Sequence, residues 1–146
     1  MIGPNRVAAA APEITLTIAD RDRLLDLANA ALYRLPDVAA LLLEEADRAA
    51  ITPEGSDREK TVGLHSYVRY HDSETDSIQT VQIVYPHEAD IALWKISVLT
   101  LVGAGLIGLS EGQSIDWPTR DGRSRTLSAL QVGSAPFEAL GEQQAN

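Results

Sequence analysis

Along the first third of the chain apolar residues recur at every third or fourth position, and beyond residue 60 they recur at every second. The first period marks an amphipathic helix and the second a half-buried strand. In ITLTIADRDRLLDLANAALYRL (residues 14–35) the apolar stripe runs through Leu24, Leu27 or Ala28, Ala31 and Leu35. Thr17, with Asp20 three residues on, reads as the helix start. Its hydroxyl suits an unpaired amide, and the helix dipole favours a carboxylate in the first turn. Pro36 ends this helix and opens the next, because a proline at the first helical position forfeits no hydrogen bond. In PDVAALLLEEADRAAI (36–51) the stripe is Val38, Leu42 or Leu41, Ala46 and Ala49. Two helices joined so tightly lie antiparallel, and an alanine-rich seam lets them come close. Each arm, about 15 residues, is about 22 Å long.

The polar stretch TPEGSDREK (52–60), with Pro53 and Gly55, reads as a linker. After it, LHSYVRYH (64–71) and SIQTVQIVYP (77–86) alternate. Leu64, Val68 and Tyr70 share one face of the first, and Val81, Ile83 and Tyr85 one face of the second. WKISVLT (94–100), SIDWPT (114–119) and SRTLSALQV (124–132) are three further strands. The last two are joined at Asp121-Gly122, a dipeptide that tolerates the left-handed backbone of a tight hairpin. The predicted fold is α+β: an N-terminal antiparallel helical hairpin over 14–51, a linker over 52–60, and an antiparallel sheet domain over 61–133 with one short helix. Residues 1–13 read as a disordered tail and 134–146 as a loose one.

Composition narrows the function. With 45% apolar residues the chain can bury a core. It has no cysteine, which excludes disulfides, thiolate zinc sites and a cysteine nucleophile, and fits a cytoplasmic setting. The net charge is −9, spread evenly: residues 1–60 carry 7 basic and 11 acidic groups, and residues 61–146 carry 5 and 10. Such a chain is repelled by phosphate backbones, so direct nucleic-acid binding is not expected and a partner with a positive surface is. No segment approaches the roughly 20 apolar residues that span a bilayer, and no membrane association is expected. MIGPNRVAAAAPE lacks the long apolar core of a signal peptide.

One motif points elsewhere. Gly103, Gly105 and Gly108 in TLVGAGLIGLSEG (100–112) are spaced G-x-G-x-x-G, as in dinucleotide-binding folds, and Asp121 follows Gly103 by 18 residues. That reading needs a long helix crossing to a second parallel strand. The turn EGQS leaves room for about two helical turns, too few for a parallel crossover. The alternative is a short helix capped by the Thr100 hydroxyl, with its glycines allowing backbone to approach the sheet and Gly108 or Gly112 ending it. An enzyme or nucleotide-binding protein using the glycine segment is thus the rival reading, and an orphan protein-interaction module a further one.

The run ISVLTLVGAGLIGLSEGQSIDWPTRDGRSRTLSALQV (96–132) resembles the C-terminal domain of the bacterial transcription factors GreA and GreB. The resemblance rests on Ile96-Ser97-Val98, Thr100-Leu101, Gly105-Leu106-Ile107-Gly108, Glu111-Gly112 and Asp121-Gly122, with VQIVYPHEAD (81–90) as the preceding strand and acidic loop. The ending Val84-Tyr85-Pro86 and the short hairpin are similar to the Rnk subfamily, the regulators of nucleoside diphosphate kinase. The resemblance spans roughly residues 14–133. It implies an FKBP-like sheet domain that docks on core RNA polymerase at the rim of the secondary channel, and a hairpin that points into the channel. The docking segment it implies is Ser97, Val98, Thr100, Leu101 and Val102; the hairpin tip is Arg34, Leu35, Pro36 and Asp37. In the Gre factors a long hairpin carries paired carboxylates that help hold a second Mg²⁺ for two-metal cleavage of RNA. Here the arms are about half that reach, and the tip has one acid, Asp37, beside Arg34, a poor metal-ligand set. The expectation is polymerase binding without transcript cleavage, in competition with Gre factors. Leu101 stands where the family has proline. Nucleoside diphosphate kinase enters only through the subfamily name.

The remaining polar residues read as structural. HDSETD (71–76) lacks the glycine turn and distal glutamate of a calcium loop and reads as a solvated hairpin turn. Glu44, Glu45 and Asp47 read as the solvent face of the second helix, and Arg120, Arg123 and Arg125 as a solvated turn. Trp94 and Trp117 read as sheet or interface residues. There is no G-x-S-x-G nucleophile motif, and the lone phenylalanine, Phe137, leaves no aromatic wall for a prolyl isomerase pocket. No enzyme activity, metal site or cofactor is expected.

Overall fold

The computed structural model describes residues 12–52, 60–118 and 124–137, with the side chains of residues 117 and 118 not described. The linker over 53–59, the Asp121-Gly122 turn with Arg120 and Arg123, and most of the two tails lie outside the described residues.

The hairpin forms as its sequence directs. β1 (Thr15–Thr17) runs into α1 (Ile18–Ala31), and α2 (Pro36–Arg48) runs towards β2 (Ala50–Thr52). The Asp20 N–H donates to Thr17 Oγ1 at 3.1 Å, the expected N-cap. Pro36 occupies the first turn of α2. Leu24, Ala28 and Ala31 of α1 and Ala39, Leu42 and Ala46 of α2 are buried in one cluster. Across the arms Arg21 Nε donates to the Ala46 carbonyl at 3.2 Å. Leu35 lies outside the α1 stripe, as the residue before α2. Glu45 is not on the solvent face: it is buried and accepts both Nη2 (2.8 Å) and Nε (3.2 Å) of Arg48. A buried carboxylate requires such a paired cation. Arg48 Nη1 also donates to the Pro12 carbonyl.

The base of the hairpin is bonded to the sheet domain. β1 and β2 pair in parallel, Thr15 opposite Ala50. The Thr15 N–H donates to the Gly108 carbonyl at 3.1 Å, and Gln113 Nε2 to the Glu13 carbonyl at 3.3 Å. Ile14 is wholly buried against Gly108, where a Cβ would lie 2.8 Å from Ile14 Cβ. One core runs from the hairpin into the sheet. The periodicity gave no sign of this two-stranded ribbon, because three-residue strands are too short to show alternation.

The main sheet has β5 (Lys95–Ser97), β4 (Ser77–Val84), β3 (Tyr67–Asp72), β7 (Ser124–Gly133) and β6 (Ser114–Pro118) in that spatial order. Three pairings are antiparallel, but β4 and β5 are parallel, Ile83 opposite Ile96. The sheet is therefore mixed, not wholly antiparallel. The cause is the connection over 85–94, which makes two 3₁₀ turns, Pro86–Glu88 and Ile91–Leu93, and carries the chain back along the edge before β5. Val68, Val81, Ile83, Leu127 and Ala129 face the core, and residues 103–106 of α3 (Leu101–Leu106) are buried with them. Two strands start later than expected. Leu64 and His65 form a turn, with His65 at φ 74°, and Trp94 sits at φ 59° one residue before β5.

Arg125 of β7 does not belong to a solvated turn. It grips Asp72 of β3 through Nη2–Oδ2 (2.7 Å) and Nε–Oδ1 (3.2 Å), with Glu74 at 3.4 Å. Asp72 is buried, so HDSETD is solvated only beyond its first two residues. Burial alone raises the Asp72 pKa, but hydrogen bonds from Arg125 and the Glu74 amide, with the Arg125 charge, hold it below the usual carboxylate value. The same pairing raises the pKa of Arg125.

Candidate docking surface

The segment from β5 into α3 is a set of nested caps. Ser97 Oγ accepts the Leu99 N–H at 2.9 Å. The Ser97 carbonyl accepts the Thr100 N–H at 3.2 Å and the Thr100 hydroxyl at 2.7 Å. Thr100 Oγ1 in turn accepts the Gly103 N–H at 3.0 Å and so caps α3. These bonds hold a compact turn without the family proline. Within it Val98 is wholly buried and its amide donates to the Val84 carbonyl at 2.9 Å, so its side chain belongs to the core. Ser97 and Val102 are partly buried; Thr100 and Leu101 are exposed, Leu101 by 40%. The Thr100 hydroxyl is taken up by the cap, so the outward chemistry of the segment is chiefly the Leu101 isobutyl group.

The glycines explain themselves by packing. A Cβ at Gly103 would lie 2.3 Å from the Ser97 carbonyl oxygen and 2.9 Å from Val98 Cα. Gly108 has φ +85° and Gly112 φ +93°, the left-handed region that glycine enters without steric cost. The helix that holds Gly103, α3, lies on the path from one edge strand, β5, to the other, β6. It is not the crossover between adjacent parallel strands that a dinucleotide fold requires.

The hairpin tip is largely apolar and carries one charge of each sign. Arg34, Leu35, Pro36 and Asp37 are all exposed there. Tyr33 of the same tip is 100% exposed. One neighbour, Leu32, escaped the sequence reading, although a turn between helices exposes whatever it carries. Asp37 lies in the first turn of α2, where the helix dipole stabilises it. Among the described residues no group of three His, Cys, Asp or Glu side chains can hold a metal ion, and no helix is long and apolar enough to cross a membrane.

Two acids beside the segment have structural work. Glu111 Oε2 accepts the Val132 N–H at 2.9 Å and Oε1 meets Lys60 at 3.3 Å. The backbone bond chiefly lowers its pKa. Glu88 accepts His65 Nε2 at 2.8 Å and the Tyr85 N–H at 3.1 Å, which lower its pKa in that order.

Known proteins share this arrangement. The protein named Regulator of nucleoside diphosphate kinase from Escherichia coli (strain K12) is 28% identical over 131 residues, 90% of this chain and 96% of its own. Transcription elongation factor GreA of Acidiphilium cryptum (strain JF-5) is 38% identical over 74 residues, 50% of this chain and 47% of its own. A solved structure of a prokaryotic transcription elongation factor GreA/GreB from Nitrosomonas europaea matches with a TM-score of 0.63 at 28% identity, over 84% of this chain and 98% of its own. Residues 57–134 match the family described as Transcription elongation factor, GreA/GreB, C-term. The chain belongs to the GreA/GreB family, and it matches relatives named regulator of nucleoside diphosphate kinase along nearly their whole length.

Proposed function

We propose that this protein binds core RNA polymerase at the rim of its secondary channel without stimulating transcript cleavage, and competes there with Gre factors. Family membership supports the partner. The exposed Thr100 and Leu101, held by Ser97, supply the contact; Val98 and Val102 back the segment from within. The observation that carries the absence of cleavage is the hairpin. Its arms have 14 and 13 residues, about 20 Å at about 1.5 Å per residue. Its tip, residues 32–37, holds one carboxylate, Asp37, next to Arg34. A second catalytic metal requires a convergent oxygen set, which one acid does not provide. The prong therefore obstructs. Any effect on nucleoside diphosphate kinase then runs through transcription.

The test uses backtracked elongation complexes. The protein alone leaves the RNA uncut, and added to a long-hairpin cleavage factor it slows cleavage in a way that excess cleavage factor reverses. Stimulated cleavage by the protein alone overturns the mechanism; failure to bind core polymerase overturns the partner.

A further inference from the structure

The loop before β5 is built to display apolar side chains. Asp90 and Lys95 close it with two backbone bonds, Asp90 N–H to the Lys95 carbonyl at 2.9 Å and Lys95 N–H to the Asp90 carbonyl at 3.0 Å. Asp90 Oδ1 accepts the Ala92 N–H at 3.1 Å, and the Trp94 N–H donates to the Ile91 carbonyl at 3.0 Å. The Trp94 carbonyl is pinned by the Gln82 N–H at 2.9 Å. From this closed frame project Ile91, 72% exposed, Leu93, 61% exposed, and Trp94, 41% exposed. Trp94 also holds φ 59°, a left-handed conformation that disfavours any residue with a Cβ. Local stability would be served by glycine at 94 and polar groups at 91 and 93. A rigid loop that displays tryptophan and leucine matches the anchors of protein interfaces, which lose little entropy on binding.

The geometry points to the Ile91–Trp94 loop as a second docking anchor, with Trp94 at its centre, for an apolar groove with a cationic rim on RNA polymerase. This rests on the function proposed above. Two observations select the occupant. The loop carries Glu88, bonded to His65 and the Tyr85 amide, and Asp90 before its apolar tip and Lys95 after it, and the whole chain has net charge −9, so a partner groove with a basic rim complements it. The loop is also continuous with the Thr100–Leu101 contact. Only the three residues of β5 and the 98–99 turn separate them; β5 spans roughly 10 Å, well within one standard interface.

The experiment titrates the full chain against core polymerase. Trp94→Gly removes the indole and relieves the backbone, so it folds with an equal or higher Tm. It binds about tenfold more weakly or worse. Leu93→Ser, at a side chain exposed to solvent, also weakens binding, which secures the result should Trp94→Gly fold poorly. Wild-type binding with no loss in either variant overturns the anchor and leaves the partner standing. No wild-type binding overturns the partner itself. A wild-type dimer in sedimentation that Trp94→Gly dissolves overturns the proposal in favour of a second copy.

Discussion

Gly103→Ala tests the close contact that shapes the proposed docking segment. The new Cβ would lie 2.3 Å from the Ser97 carbonyl oxygen and 2.9 Å from Val98 Cα. Both neighbours are backbone, so no rotamer change relieves them. The carbonyl must recede by roughly 1 Å before the contact becomes an ordinary one. It also accepts both the Thr100 amide and the Thr100 hydroxyl, so its movement loosens the cap of α3. Overpacking of this kind costs about 1–3 kcal/mol, and alanine in a helix recovers at most about 1 kcal/mol. With backbone on both sides the cost lies at the upper end, about 2–3 kcal/mol, so the net loss after that recovery is about 1–2 kcal/mol. At about 2–4 °C per kcal/mol for a chain of this size, Tm falls by roughly 2–8 °C. Thermal unfolding followed by circular dichroism reads the loss, and native-state hydrogen exchange reads its place: the Thr100 and Gly103 amides lose protection. A variant as stable as wild type, with unchanged exchange at both amides, refutes the reasoning.

The Asp72–Arg125 pair and the hairpin mount give two further predictions. Asp72→Ala leaves a largely buried guanidinium with only the Glu74 contact at 3.4 Å and costs up to about 3 kcal/mol in urea denaturation. Because the Asp72 pKa is lowered in the folded state, its contribution is fully present above the unfolded-state value, about 3.9. It is lost as pH falls through the folded value. Asp72→Asn therefore flattens the acid limb of stability against pH below about pH 4, and an unchanged limb contradicts the pairing. Ile14→Ala opens a cavity under Gly108 and costs about 2–5 kcal/mol. Hydrogen exchange then accelerates first in β1 and at the base of α1; uniform acceleration throughout the sheet shows that the mount is not a separate element.

The helical hairpin was legible because its signals are local. Thr17, Pro36 and the alanine stripe act within four residues of themselves, and a periodic face of 14 residues leaves little freedom of interpretation. The strands of the sheet were legible for the same reason wherever alternation ran for five residues or more. The short helix after Thr100 was legible because the turn that follows leaves room for no more than about two helical turns, and the observed α3 has six residues. The family resemblance pointed to residues 97–102 as the proposed docking segment, yet it could not distinguish the buried Val98 from the exposed Leu101, which are only three residues apart.

What lay beyond the linear pattern were the pairings between distant residues. Glu45 and Arg48 look like any exposed pair one helical turn apart until the Pro12 carbonyl, 36 positions away, is set against Arg48. Asp72 and Arg125 lie 53 positions apart, and only the β3–β7 register brings them together. The parallel edge pairing of β4 and β5 depends on how the 85–94 connection turns, and the left-handed Trp94 on the closure of that loop. Local spacing decides which residues form helices and strands, because those hydrogen bonds are short in sequence. Sheet order, register and the burial of charge depend on contacts between distant residues, which the packed chain alone selects.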